Sequence, residues 1–238
     1  MTVIVYPDAV ALARTTGVRL LVEIGDAVAA RGVAHIILTG GRGGGSVLAA
    51  IAEAPSRDDV DWMSVHVWWS DERFVPVGDP ERNEGQAQSI LLGHLLLPEE
   101  NIHRIASPET AATASDAAEA YARELALYGD PCPRFDVALL GLGDDGHVAS
   151  LFPGRAELAE AVASVVAVEG APKPPPSRVT LTLPTLCAAA QVWIVAAGAG
   201  KARAVAACLA PDSAAPGARV SGRERTLWLI DALASIEA

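Results

Sequence analysis

The stretch Phe135–Gly154, FDVALLGLGDDGHVASLFPG, decides the fold. Its apolar run from Val137 to Leu140 leads directly into a loop of glycines, aspartates and one histidine. A continuous apolar run that ends in glycine predicts a strand buried on both faces of a parallel sheet. Ligands of such sheets bind outside the carboxyl ends of the strands. We therefore expect His147, next to Asp144 and Asp145, to lie in a functional site.

The same loop matches the glycine fingerprint of dinucleotide-binding proteins, because residues 141–146 read GLGDDG. Three features argue against that interpretation. The two aspartates would repel a pyrophosphate, and Pro153 and Gly154 leave room for only a short helical turn. The fingerprint also belongs to the first strand of its unit, whereas here it lies past the middle of the chain. We therefore expect no nicotinamide or flavin site at this loop.

Length and composition favour one α/β domain over residues 1–238, with 51% hydrophobic residues to build its core. Eighteen basic residues stand against 29 acidic ones, and the net charge of -11 argues against a nucleic-acid partner. The three cysteines are widely spaced and form no CxxC motif, which predicts reduced thiols and no zinc site. No apolar stretch approaches the roughly 20 residues of a membrane span, and we expect a cytoplasmic protein with no membrane partner.

The rest of the chain alternates predicted strands and helices, which indicates a doubly wound, mostly parallel sheet flanked by helices, a Rossmann-like α/β class. An early strand at Ile36–Leu38 is followed by a flexible glycine turn, residues 40–45, and by a helix at Ser46–Ala54. Strand, glycine turn and helix together direct backbone N–H groups at an anion, usually a phosphate. Arg42 could add a cation. The alternative is a glycine-rich connection without a ligand.

A second charged segment follows the strand predicted at Ser64–Trp69, because Asp71, Glu72 and Arg73 come one residue, Ser70, after two tryptophans. Taken alone, this segment could be a surface ion-pair cluster. Its position level with the other two loops favours a function. The irregular, charged residues 76–85 then predict a long loop that could cover a site.

Further predicted elements complete the chain. We predict a helix at Gln86–Leu96, and short strands at Asn101–Ile105 and Val162–Val168. Residues 178–183 alternate polar and apolar side chains, which predicts a strand with Arg178 on one face. Lys201 begins a helix, where a cation opposes the macrodipole unless an anion lies nearby. This position favours an anion-binding lysine.

Four segments together resemble the 6-phosphogluconolactonase family, whose members open 6-phosphoglucono-1,5-lactone to 6-phosphogluconate. They are SDERFVP (70–76), LGLGDDGHVASLFPG (140–154), PKPPPSRVTLTLP (172–184) and GAGKARAV (198–205). They occur in the family's order and extend over most of the chain. The resemblance implies a single domain of the sugar-phosphate isomerase type, a phosphosugar lactone as substrate, and no metal or organic cofactor.

The resemblance also implies the site residues. We expect His147 to act as general base, since an imidazole with a pKa near 6.5 suits physiological pH. Asp71 or Asp145 would orient the imidazole or the sugar hydroxyls. The residues expected to bind the phosphate or the oxyanion are Gly40, Gly41, Arg42, Gly43, Arg73, Arg178 and Lys201. Where the family has two hydroxyl side chains after its glycines, this chain has Arg42 and Gly43.

Two alternatives stay open at this stage. Glucosamine-6-phosphate deaminases share the glycine-rich loop and its histidine, but continue with Ile-Ala-Phe-Asn-Glu-Pro. Here residues 148–153 read VASLFP, without the glutamate. A non-catalytic sugar-phosphate-binding domain is the other alternative, although no spare basic segment for a regulator is present. The sequence leaves open whether the protein is a monomer or a small homo-oligomer.

Overall fold

The computed structural model describes residues 1–235, so the last three residues of the predicted domain lie outside the described part of the chain. The strands, in chain order, are β1 Thr2–Tyr6, β2 Ala34–Leu38, β3 Val65–Trp69, β4 Asp71–Arg73, β5 Val137–Gly141, β6 Val165–Val168, β7 Arg178–Leu181, β8 Gln191–Ala196 and β9 Arg225–Asp231. The helices are α1 Ala9–Arg31, α2 Gly41–Glu53, α3 Asn83–Ile90, α4 Ala114–Leu127, α5 Leu183–Cys187, α6 Ala202–Leu209 and α7 Pro216–Arg219. No helix of the described chain is long and apolar enough to cross a membrane.

The main sheet confirms the predicted fold class. Six strands are all parallel, in the order β1-β9-β8-β5-β2-β3, and helices flank them. All five residues of β2 are buried, as are Val137 to Leu140 of β5. This burial explains the apolar runs, because a central parallel strand has no face in water.

The order of the strands creates a crevice between β2 and β5. From β2 the chain continues outward to β3, whereas from β5 it continues in the other direction to β8 and β9. The loops that follow β2 and β5 therefore diverge at their carboxyl ends. Ligands of doubly wound sheets bind at such a switch point.

A second, antiparallel sheet with the order β4-β7-β6 was not anticipated from the sequence. Ser70 joins the two sheets, since its N–H donates to Leu38 O at 2.9 Å and its carbonyl accepts from Leu181 N at 2.9 Å. The charged segment after β3 is thus a strand rather than a loop. Asp71 pairs with Thr180, and Arg73 pairs with Arg178.

Several predicted boundaries were wrong. The glycine turn predicted at 40–45 is mostly helix, because α2 already begins at Gly41. The predicted strand at 101–105 is a short 3-10 turn followed by a single bridge from Ile102 to Val67. The helix predicted from Gln86 begins at Asn83 and ends at Ile90, and β6 begins at Val165 instead of Val162. Two of these limits depend on contacts outside the element, because Glu72 accepts from the N–H groups that begin α3 and β6 pairs with β7.

Candidate functional site

A cleft of about 600 Å³ opens at the carboxyl ends of β2, β5 and β8. Nine of the ten residues predicted for the site line it, namely Gly40, Gly41, Arg42, Gly43, Asp71, Arg73, His147, Arg178 and Lys201. The tenth, Asp145, contacts His147 directly. Segments that are far apart in the sequence therefore meet at the carboxyl ends of the parallel strands, which is where the sequence analysis expected them.

His147 lies in the glycine-rich loop after β5, with 15% of its side chain exposed. Its Nδ1 is hydrogen-bonded to the carboxylate of Asp145. Because a carboxylate only accepts, Nδ1 bears the proton and Nε2 presents a lone pair. Nε2 has no hydrogen-bond partner within residues 1–235. Burial lowers the pKa of His147, whereas the hydrogen bond and the charge of Asp145 raise it. Burial is the larger effect, so this pKa lies below its ordinary value and the ring is neutral at neutral pH.

Two neighbours shape the position of this ring. A Cβ at Gly143 would lie 1.9 Å from His147 Nδ1, so only glycine allows the imidazole this close to the loop backbone. The buried ring of Phe152 packs against the imidazole, with 4.5 Å between the ring centroids. The loop sequence thus holds the histidine in one place.

The two aspartates of the loop have different partners. Asp145 binds His147, whereas Asp144 forms an ion pair with Lys201. The hydrogen bond from Lys201 lowers the pKa of Asp144. Burial raises the pKa of Asp145, but the hydrogen bond and charge of His147 together with the charge of Lys173 outweigh burial and leave this pKa below its ordinary value. Both carboxylates are therefore charged at neutral pH.

The strand alternation of β4 separates its three charged residues. Asp71 and Arg73 line the cleft, and Glu72 points to the opposite face. Asp71 accepts a hydrogen bond of 2.6 Å from Ser150 Oγ and lies 4.0 Å from Arg178 Nη1. Arg73 donates from Nη1 to Glu81 O at 2.5 Å, while its buried Nε has no partner in the described chain.

Glu72 caps α3 from outside the helix. Its carboxylate accepts from the backbone N–H groups of Asn83 at 2.8 Å and Glu84 at 2.9 Å, and from that of Arg73 at 2.8 Å. Burial raises the pKa of Glu72 to about 7 in spite of these donors. The cap links β4 to α3 and thereby places Asn83 beside the cleft. Glu72 is therefore a structural member of the DER segment.

The glycine turn approaches α3 closely. A Cβ at Gly40 would lie 1.8 Å from Asn83 Oδ1, and Asn83 Nδ2 donates to Asp71 O at 2.8 Å. Residues 41–43 line the cleft at the start of α2, where the first N–H groups of a helix have no intrahelical partner, and Arg42 is exposed there. This arrangement can bind an anion.

Arg178 lines the cleft but directs most of its donors elsewhere. Its Nε donates to Pro175 O at 3.0 Å, and its Nη2 donates to the carbonyls of Lys173 and Pro174, each at 3.0 Å. Its Nη1 lies 3.4 Å from Ser150 Oγ. Burial lowers the pKa of Arg178, while the charge of Asp71 raises it. The guanidinium thus secures the proline-rich loop.

Sequence reasoning missed Asn83, Lys173 and Ser150. Lys173 belonged to a quoted motif, so its position was signalled without being used. Ser150 also lay in a quoted motif, whereas Asn83 had no sequence signal, because its position depends on contacts with Asp71 and Gly40. Within residues 1–235, no group of three or more His, Cys, Asp or Glu side chains is arranged to hold a metal ion.

Residues 7–228 match the family model described as glucosamine-6-phosphate isomerases/6-phosphogluconolactonase. A 6-phosphogluconolactonase of Streptomyces coelicolor is 47% identical over 98% of this chain and 92% of its own length. The 6-phosphogluconolactonase of Mycobacterium tuberculosis is 44% identical over 95% of this chain and 94% of its own length.

Solved structures are similar throughout. A 6-phosphogluconolactonase from Trypanosoma brucei has a TM-score of 0.85 at 28% identity, covering 98% of this chain and 97% of its own. A monomeric glucosamine-6-phosphate deaminase, with a TM-score of 0.81 at 16% identity over the full length of both chains, shares the fold. The cleft, its motifs and these matches lead to one conclusion: the chain belongs to the family of glucosamine-6-phosphate isomerases and 6-phosphogluconolactonases.

Proposed function

We propose that this protein hydrolyses 6-phosphoglucono-1,5-lactone to 6-phosphogluconate in the oxidative pentose phosphate pathway, with His147 as general base. The observation on which the proposal depends is the single free nitrogen of His147, which is oriented by Asp145 in a cleft bordered by cations. The names of the most similar relatives support the same reaction.

The imidazole has the protonation state that a base requires. Because Asp145 holds the proton on Nδ1, the lone pair of Nε2 is available to a water molecule. Water attacks C1 of the lactone while its proton passes to Nε2. The bond from C1 to the ring oxygen then breaks, and the imidazolium returns the proton to that oxygen. The product is the open-chain acid, which ionises in water.

The charge that develops on the carbonyl oxygen needs donors. Arg73 lines the cleft with its buried Nε unpaired in the described chain, so it has a donor to offer. We assign Arg73 to the substrate oxyanion or phosphate. Asp71, held by Ser150, is assigned to a sugar hydroxyl.

The phosphate is assigned to the start of α2, where N–H groups of Gly41, Arg42 and Gly43 meet the positive end of the helix macrodipole. Arg42 and Lys201 add charge at the edge of this region. Backbone donors at this position compensate for the two hydroxyls that the family has and this chain lacks. Arg178 is left out of the phosphate ligands because its donors bind loop carbonyls.

The deaminase remains the second candidate, because one solved glucosamine-6-phosphate deaminase shares the fold and the family description also names glucosamine-6-phosphate isomerases. The place of that enzyme's glutamate is occupied here by Phe152, whose side chain is 1% exposed and packs on His147. An apolar ring can neither donate nor accept a proton. Lactone hydrolysis, which requires no second carboxyl at this place, is favoured.

The test is turnover of freshly generated 6-phosphogluconolactone, followed by NADP reduction through added 6-phosphogluconate dehydrogenase. The spontaneous hydrolysis rate is the reference, and release of ammonia from glucosamine 6-phosphate is measured in parallel. We expect acceleration with the lactone alone. Ammonia release without lactonase activity would assign the chain to the deaminases. The absence of activity in both assays would indicate a sugar-phosphate-binding protein without catalysis.

The remaining expectations belong to the same proposal. A cytoplasmic location agrees with Cys132, Cys187 and Cys208, all of which are free thiols. We expect a monomer or a small homo-oligomer, which light scattering at the enzyme's working concentration measures.

A further inference from the structure

The chain uses lysine only twice. Of its eighteen basic residues, only Lys173 and Lys201 are lysines, and both line the cleft. Every other basic position is arginine. Lysine differs from arginine in its compact charge and its three rotatable donors. Both lysine ammonium groups therefore lie at one site, although the chain has arginine at every other basic position.

The two lysines have different partners. Lys173 Nζ lies 3.8 Å from Asp145 Oδ1 and 3.9 Å from Asp144 Oδ2, with 40% of its side chain exposed. Lys201 pairs with Asp144 alone in the described part of the chain. Since Asp145 holds Nδ1 of His147, Lys173 faces the carboxylate that orients the base.

The backbone around Lys173 is held by a buried charge. Arg178, 4% exposed, donates to the three successive carbonyls of Lys173, Pro174 and Pro175. A buried guanidinium needs such acceptors, and this loop provides them. The loop is consequently fixed next to the lysine, and the ammonium is kept over the two aspartates.

We propose that Lys173 is a positioning residue that acts through Asp145 on His147, and that Arg178 acts by holding the Lys173 loop instead of binding the substrate. The inference rests on the proposed lactone hydrolysis with His147 as base. Lys173 partly neutralises Asp145, which then stabilises the imidazolium less. His147 therefore stays unprotonated, and active as a base, at lower pH.

The other charges near His147 set the sign of the effect. Asp145 and Asp71 favour the protonated ring, and Lys173 opposes them. Further charges in or beside the cleft are Asp144, Lys201, Arg73 and Arg178, the last 5.7 Å from the ring of Phe152. Removing the charge of Lys173 should raise the pKa of His147. The pair is partly exposed, so the expected rise is about half a pH unit.

The first experiment is the pH profile of kcat/KM for Lys173→Met and Lys173→Arg, because this profile reports the ionisation of the free enzyme. We expect the acid limb of the methionine variant to move upward by about half a unit, equivalent to about threefold lower kcat/KM on that limb. The arginine variant should keep the wild-type limb. The shift should shrink in 1 M NaCl, where charges are screened over about 3 Å.

Arg134→Met is the matched control, since it removes one positive charge from an exposed ion pair before the amino end of β5. It should leave the acid limb in place. If the acid limb of kcat/KM does not move in Lys173→Met, the proposal is wrong. An equal loss of kcat/KM at every pH together with a raised KM would also overturn it, because that result would make Lys173 a substrate ligand.

A second measurement is independent of turnover. Titration of the His147 ring protons by NMR, assigned with His147→Asn, should show the same rise in pKa in Lys173→Met. Reductive ¹³C-methylation keeps the lysine charge and labels only two side chains besides the amino terminus. Asp145→Asn should move the Lys173 signal more than the Lys201 signal. If wild-type enzyme lacks lactonase activity while these shifts appear, the proposed function fails and the charge arrangement stands.

The role of Arg178 is tested by a double-mutant cycle of Arg178→Gln with Lys173→Met, scored on the position of the acid limb. If Arg178 acts through Lys173, the double variant should show no larger shift than Lys173→Met alone. Additive shifts, or a KM increase in Arg178→Gln that persists in the double variant, would return Arg178 to the substrate ligands. If Arg178→Gln fails to fold, the two Lys173 variants and the NMR titration still decide the first half of the proposal.

Discussion

Histidines lie at both ends of the parallel sheet, and the two regions differ in what surrounds each ring. His147 follows the carboxyl end of β5, with Nδ1 bound to Asp145 and, within the described residues, no partner on Nε2. At the amino end, His35 and His66 face each other across β2 and β3, and their rings stack with 4.7 Å between centroids. His103 completes this second group, which we call the histidine stack (His35, His66 and His103).

The histidine stack is closed by hydrogen bonds. Trp68 Nε1 donates to His35 Nδ1 at 3.1 Å, and His66 Nδ1 lies 2.9 Å from His103 Nε2. His103 Nδ1 lies 2.6 Å from Glu124 Oε1. His103 also stacks on the ring of Trp68 with 3.6 Å between centroids. The histidine stack packs against the edge of the sheet, and none of its three residues lines the cleft that contains His147.

The comparison shows that a lowered pKa does not distinguish a base from a packing residue. Burial and the charges of His66, His103 and Arg31 lower the pKa of His35 to about 4, and burial lowers that of His147 as well. What differs is access. Within residues 1–235, Nε2 of His147 has no partner and borders a cleft lined by cations, whereas Nδ1 of His35 already accepts a hydrogen bond from Trp68 Nε1.

The largest expected effect separates the two regions directly. His147→Asn should lower kcat by about 10² to 10⁴, the usual contribution of a general base, with little change in melting temperature. His66→Gln should keep kcat/KM and lower stability by about 1 kcal/mol, because it loses a stacked ring and a hydrogen bond. Coupled lactonase assays and thermal melts measure both. Equal loss of activity in the two variants would refute the distinction.

The next effect tests the orientation of the His147 ring. Asp145→Asn should lower kcat by about 10², since an amide that donates to Nδ1 favours the wrong tautomer. The negative charge of Asp145 raises the pKa of His147, so its removal should move the acid limb of kcat/KM to lower pH. An acid limb that moved upward would contradict the assigned pairing.

The histidine stack should instead determine part of the pH dependence of stability. The pKa of His35 is about 4 in the folded state against 6.5 ordinarily. Its depressed pKa therefore contributes stability that is present above pH 6.5 and is lost as the pH falls towards 4. His35→Gln should reduce the difference in the free energy of unfolding between pH 7.5 and pH 4.5 by about 2 kcal/mol, as measured by urea unfolding. If that difference is unchanged in the variant, His35 is not the source of this pH dependence.

The smallest effect concerns the phosphate end of the cleft. Arg42 is exposed at the start of α2, so Arg42→Gln should raise KM for the lactone about two- to fivefold with kcat unchanged. The rise should disappear at high salt. A loss of kcat would indicate that Arg42 acts on the reacting atoms.

The sequence alone was enough for the fold class and for the place of the cleft. Buried parallel strands require uninterrupted apolar runs, and loops at their carboxyl ends meet at the switch point, so Phe135–Gly154 and the glycine turn could be located by pattern. The motif around His147 also placed Asp145 two residues away, within reach of the imidazole. Local spacing sufficed for each of these features.

Only the tertiary structure decided which neighbour does what. The second sheet, the cap that Glu72 provides to α3, and the hold of Arg178 on the Lys173 loop join residues far apart in sequence. Hydrogen bonds depend on direction and on distances of about 3 Å, and neither is encoded in the order of residue types. The sequence therefore determined that charges gather at this cleft, and the packing determined which of them face His147.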